Sequence, residues 1–111
     1  MRVARQWSLD GEVIKNSEVY KLVDNTTLNN LVVSTTTLYP GKQTRGHSHK
    51  DQEEVYIFTS GYGNMLVGQE TYQVEQNSIV LIPDGAFHKV WNNSKIEDLV
   101  FVCVFDGGRN H

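Results

Sequence analysis

The chain has 111 residues, 39% of them apolar, with ten Lys and Arg against thirteen Asp and Glu for a net charge of −3. That length suits a single domain over residues 1–111 with one core. Without concentrated positive charge the chain lacks the footprint of a nucleic-acid partner, and no apolar run approaches the ~20 residues of a membrane span.

The start, MRVARQWSLDGE, carries no apolar signal segment, and Cys103 is the only cysteine, so an internal disulfide is impossible. Both features suit the cytoplasm. In that compartment the sequons Asn25-Thr26-Thr27 and Asn92-Asn93-Ser94 are chance matches.

Residues 1–20 read as an N-terminal arm, with Val3–Trp7 a short-strand candidate and Asp10-Gly11 a turn signal. Glu18–Val23 reads as a strand, followed by a loop rich in Asn, Asp and Thr from Asp24 to Asn30. Leu31–Leu38 is dense in β-branched residues and is stopped by Pro40-Gly41. Further strands are predicted over Glu53–Thr59, Tyr62–Val67, Glu70–Val74, Ser78–Ile82, His88–Trp91 and Leu99–Phe105, separated by Gly, Asn and Pro turns. The last, LVFVCVF, is a continuous apolar run and predicts a strand covered on both faces. No segment sustains a period of 3.6, so the fold class is all-β, a sandwich or barrel with its core over about 31–105.

The chemistry concentrates in Gly46–Gly63. On a strand, His47 and His49 share a face. A hairpin through Lys50-Asp51-Gln52 would bring Glu54 back beside them. Two imidazoles and a carboxylate converging in this way make a transition-metal site. A polar turn with solvated histidines is the alternative for these residues taken alone. Another histidine, His88, follows the turn Pro83-Asp84-Gly85 at the start of a strand.

Together these segments resemble the cupin superfamily. Its first motif is matched by Gly41, His47, His49, Glu54 and Gly61, and its second by Pro83, Gly85, His88 and Asn92. The opening Gly of the second motif is replaced by Asn77, a residue that tolerates left-handed backbone. The resemblance implies a double-stranded β-helix, or jelly-roll barrel. It also implies one divalent metal, Fe, Mn, Ni or Zn, held by His47, His49, Glu54 and His88. A further resemblance, to archaeal cupin-type glucose-6-phosphate isomerases, rests on Thr44-Arg45-Gly46-His47-Ser48-His49 and Glu54-Val55-Tyr56. It implies substrate contacts at Thr44, Gly46 and Tyr56.

Three imidazoles and one carboxylate would leave two adjacent positions of an octahedral ion for substrate oxygens, water or O₂. The expected partner is a small-molecule substrate, a carbohydrate or its phosphate in an isomerase. A metal-dependent dioxygenase and a non-catalytic binding module are the alternatives. By strand parity Tyr56 and Phe58 share the inward face of Glu54, and Glu53 faces solvent. Arg45 shares parity with His47 and could meet an anionic group. Phe87 and Trp91 flank His88 as candidate cavity walls. Cys103 faces the barrel, and Val100, Val102 and Val104 then face outward toward a homodimer partner, which exchange of Val3–Trp7 would also provide.

Overall fold

The computed structural model describes residues 10–107. The strands are β1 (Glu12–Asn16), β2 (Tyr20–Asn25), β3 (Leu31–Leu38), β4 (Glu54–Ser60), β5 (Tyr62–Val67), β6 (Glu70–Glu75), β7 (Ile79–Ile82), β8 (His88–Asn92) and β9 (Leu99–Asp106). They form a six-stranded sheet in the order β1-β2-β3-β9-β4-β7 and a three-stranded sheet in the order β6-β5-β8. Every pairing between these strands is antiparallel. This is the expected all-β jelly roll.

Alternation drives the packing. Along β3 the side chains of Val32, Ser34, Thr36 and Leu38 are buried and their neighbours are not; along β4 the same holds for Glu54, Tyr56 and Phe58. The inward residues of both sheets meet in one cluster that includes Leu38, Phe58, Met65, Val90, Leu99 and Phe101. Phe101 lies 5.1 Å from the Phe58 ring and stacks on Tyr56 at 5.2 Å and 17°. Burying each such ring contributes about 1.5–3 kcal/mol, and the ring pairs add to that.

Cross-strand register gives the six-stranded sheet distinct rows on its inner face. Glu54, Phe105 and Val32 form one row, and Phe58, Phe101, Thr36 and Leu22 form another. Between them runs a polar row: Asp24 opposite Ser34, Ser34 opposite Cys103, and Cys103 opposite Tyr56.

Asn92 closes the far end. Its Nδ2 donates to the carbonyls of Leu38 (3.0 Å) and Glu97 (2.8 Å), and its Oδ1 accepts from the Ser94 N–H (2.9 Å). The last residue of the second motif thus fastens β8 to the end of β3. Asn77 adopts φ 76°, the left-handed turn that its replacement of Gly requires.

Two expectations need correction. Residues 12–16, read as part of an arm, form β1 and pair with β2 in the main sheet. All five are exposed, so no burial pattern marks them in the sequence. The loop assigned from Asp24 also begins too early, since β2 runs on to Asn25. The proposed exchange strand Val3–Trp7 lies outside the described residues, as does His111.

Candidate metal centre

His47 and His49 do not lie on a strand paired with β4, contrary to the hairpin expected from their spacing. Residues 42–47 run instead along β8 of the smaller sheet. Gln43 bridges Trp91 and His47 bridges His88, four residues on one side against three on the other. The extra residue makes a bulge, with Gly46 at φ +83°. A Cβ on Gly46 would stand 2.4 Å from Phe87 Cζ, so both the backbone and the close approach require glycine. The interruption explains why simple alternation misplaced this segment.

The bridge itself sets the site. His47 N–H donates to His88 O (3.1 Å), and His88 N–H donates to His47 O (2.9 Å). Residues paired in this way project side by side, and the two rings lie 4.3 Å apart. The next loops are tied together where Gly85 N–H donates to His49 O (3.2 Å) and Asp51 N–H to Asp84 Oδ1 (2.7 Å). That brings the His49 ring to 4.5 Å from His47. Glu54 arrives from β4 in the opposite sheet. Its Oε1 is 3.8 Å from His49 Nε2, and its Oε2 is 3.9 Å from His88 Nε2.

One ligand atom from each of His47, His49 and Glu54 lies within 4.8 Å of the other two, a cluster able to hold a metal ion. His88 adjoins it in a particular state. Its Nδ1 lies 3.0 Å from Ala86 O, which fixes the proton on Nδ1. Its Nε2 is left with a bare lone pair, buried and without a hydrogen-bond partner. A buried orphan acceptor is costly, and a backbone carbonyl orienting the other ring nitrogen is the usual arrangement behind a metal-bound imidazole. The donor set therefore fits a metal ion.

Burial favours the neutral forms of His47, His88 and Glu54. Desolvation first, then the neighbouring His88 and His49, lower the His47 pKa to about 4, although the residue as a whole is exposed at the cavity mouth. Burial also lowers His88, against the opposing effect of its bond to Ala86. Burial raises the Glu54 carboxyl, partly offset by His49. Because folding lowers the His47 pKa, the unfolded chain takes up that proton first as pH falls through 6.5. The imidazole's contribution to stability is then lost progressively down to about pH 4. We predict that in the metal-free protein the His47 ring resonances stay in the neutral position until about pH 4. Titration near 6.5 would show that the cavity does not desolvate it.

The site opens into a cavity of about 750 Å³. Thr44, Arg45, Gly46 and Tyr56 all line it, as do all three histidines and Glu54. Thr44 also has a structural duty, since its Oγ1 accepts from Val90 N–H (3.0 Å). Arg45 is exposed. The Tyr56 hydroxyl is hydrogen-bonded to Cys103, and burial first, then Cys103 and Glu54, hold its pKa well above the ordinary value. The buried Cys103 thiol is likewise pushed up by desolvation. Neither ionises near neutral pH. Phe87 and Trp91 do not wall the cavity; they alternate with the inward His88 and Val90, and Val90, Phe101 and Phe105 take that place.

Residues 34–105 match the family model for the cupin domain. The chain is a member of the cupin family. It is similar to glucose-6-phosphate isomerase of Pyrococcus abyssi, 31% identical over 107 residues, an alignment covering 85% of this chain and 56% of that enzyme. The chain thus spans about half the length of the curated relatives it matches. Among solved structures, a cupin-2 domain from Rhodospirillum rubrum superposes at TM-score 0.77 with 18% identity, covering 99% of this chain and 77% of that one. A predicted oxalate decarboxylase from Thermotoga maritima superposes at TM-score 0.76, also with 18% identity, covering 95% and 98%. Both confirm the cupin fold.

The sequence reading missed part of the cavity. Asp24, Ser34, Thr36, Lys15 and Gln52 all line it. Asp24 shares the face of Tyr20 and Leu22, so parity along β2 carried one residue past Val23 finds it.

Proposed function

We propose that this cupin binds one divalent metal through His47, His49, Glu54 and His88. We further propose that it acts there on a small carbohydrate or sugar phosphate, with aldose–ketose isomerisation as the reaction. The observation that carries the metal assignment is the buried, unpartnered Nε2 of His88 beside the converged cluster. The sugar assignment is supported by the similarity to glucose-6-phosphate isomerase of Pyrococcus abyssi. It is also supported by a cavity whose lining mixes aromatic faces with hydroxyl groups.

An ion in this site would supply Lewis-acid polarisation of substrate oxygens. The chain's own residues do the rest. The aromatic wall of Tyr56, Phe101 and Phe105 excludes water from the inner end of the cavity. The Tyr56 hydroxyl, a donor held protonated by burial, orients a substrate oxygen. Arg45 and Lys15 offer positive charge to a phosphate. The lone thiol Cys103, buried and free, suits the cytoplasm.

Incubating the metal-loaded protein with sugar phosphates in D₂O tests the reaction. Deuterium entering C2, seen by NMR, supports isomerisation. No exchange, no isomer and no binding across a broad sugar panel would remove it, and O₂ uptake after anaerobic Fe(II) loading would install a dioxygenase instead. Tyr56→Phe should leave metal affinity unchanged and slow turnover by a few- to tenfold, the worth of one hydrogen bond at roughly 0.5–1.5 kcal/mol.

We also infer a homodimer through the outer face of the six-stranded sheet. Ile79 and Leu81 on the edge strand β7 are 64% and 69% exposed. They lie opposite Ile57 and Val55 of β4, which in turn lie opposite Val102 and Val104 of β9. An aliphatic face ending at an open edge invites a second copy. Sedimentation at micromolar concentration should show a dimer that Leu81→Glu converts to monomer; a wild-type monomer would contradict this.

A further inference from the structure

The polar row across the main sheet ends at an atom that the proposed chemistry does not use. Asp24 Oδ1 is buried and has no hydrogen-bond partner. Apart from His88 Nε2 it is the only such side-chain atom among the described residues. Asp24 lines the same cavity as the histidines. Its row continues through Ser34 and Cys103 to Tyr56. Apolar and aromatic side chains dominate the rows on either side, so hydrogen-bonding groups are concentrated along one line of the cavity floor.

We propose that Asp24 is a specificity-determining residue, its Oδ1 accepting a hydrogen bond from a hydroxyl of a neutral polyhydroxy end of the substrate, remote from the histidines. This rests on the reading of the cavity as a sugar site. An unsatisfied buried acceptor is destabilising on its own. A binding site that holds one rejects analogues lacking the matching donor far more strongly than an apolar pocket discriminates by size. The donor is a hydroxyl rather than an ammonium group because Lys15 and Arg45 also line the cavity and repel a cation. Asp24 and Tyr56 are three strand spacings apart in the sheet order β2-β3-β9-β4, at most roughly 14 Å along the sheet.

The test is an NMR titration of the metal-loaded, full-length protein with D-fructose and D-glucose 6-phosphate, with ethanolamine as the cationic counter-probe. Wild type, Asp24→Asn and Asp24→Leu are compared, each with its thermal midpoint. In the wild type both sugars should shift the amide signals of Asp24 and Ser34. Asp24→Leu should weaken sugar binding at least tenfold while its thermal midpoint stays equal or rises. A purely structural Asp24 would lower that midpoint and leave affinity unchanged. Asp24→Asn, which keeps a carbonyl acceptor, should stay within threefold of wild type. Sugar binding by Asp24→Leu at wild-type strength would overturn the proposal and leave the sugar reading standing. Preference for ethanolamine would overturn the choice of a neutral donor. Failure of the wild type to bind either sugar would overturn the sugar reading and this proposal with it.

Discussion

Glu54→Gln is expected to lower divalent-metal affinity by at least about 100-fold while leaving the metal-free fold as stable as before, or more so. Altering a partner one step removed from a metal costs up to about 100-fold in affinity, and Glu54 offers its oxygens directly between His49 and His88. The stability side has the opposite sign because the carboxyl is buried and its pKa is raised by desolvation. The folded protein keeps that proton longer than the unfolded chain does. Glu54 therefore costs nothing below the ordinary carboxylate pKa and becomes a liability as pH rises through its raised value. The neutral amide removes that liability. Metal titration followed by urea unfolding at pH 7 separates the two effects. Unchanged metal affinity would deny Glu54 a place in the centre, and a large loss of metal-free stability would make it a structural residue.

Asn92→Ala should have the other large effect, on folding alone. The side chain satisfies the Leu38 and Glu97 carbonyls and the Ser94 N–H from a position only 4% exposed. Removing it strands those groups, each at about 1–3 kcal/mol, for a total of roughly 3–5 kcal/mol if part of the turn rehydrates. Metal affinity of the folded fraction should not change. A shift of the urea midpoint worth less than about 1 kcal/mol would show that the turn at 93–97 closes without Asn92.

Much of this molecule is legible in its residues, for physical reasons. Strands with one buried face announce themselves by alternation, so β3 and β5 fall at the predicted Leu31–Leu38 and Tyr62–Val67, and β4 (Glu54–Ser60) lies one residue on from the predicted Glu53–Thr59. The inward set Glu54, Tyr56, Phe58 follows from parity alone. What stays hidden is whatever breaks the period or carries no burial signal. The exposed edge strand β1 has no apolar face to read. The bulge at Gly46 shifts His47 onto β8, and no count along the chain reveals a partner in the other sheet. Asp24 looks like loop chemistry until the register with Ser34 puts it on the cavity floor. His47, His49 and Glu54 were legible as a group through their spacing, yet the routes by which they meet are longer-range than the hairpin that spacing suggests.

The proposed mononuclear metal centre draws its ligands from both sheets. The most direct measurement is an anomalous difference map from crystals of protein expressed without a His-tag and loaded with Fe(II), Mn(II), Ni(II) or Zn(II). One peak per chain is expected, within about 2.0–2.3 Å of the nearest nitrogens of His47, His49 and His88 and of a Glu54 oxygen. A peak elsewhere, or none at saturating metal with the four side chains in the positions described, would contradict it.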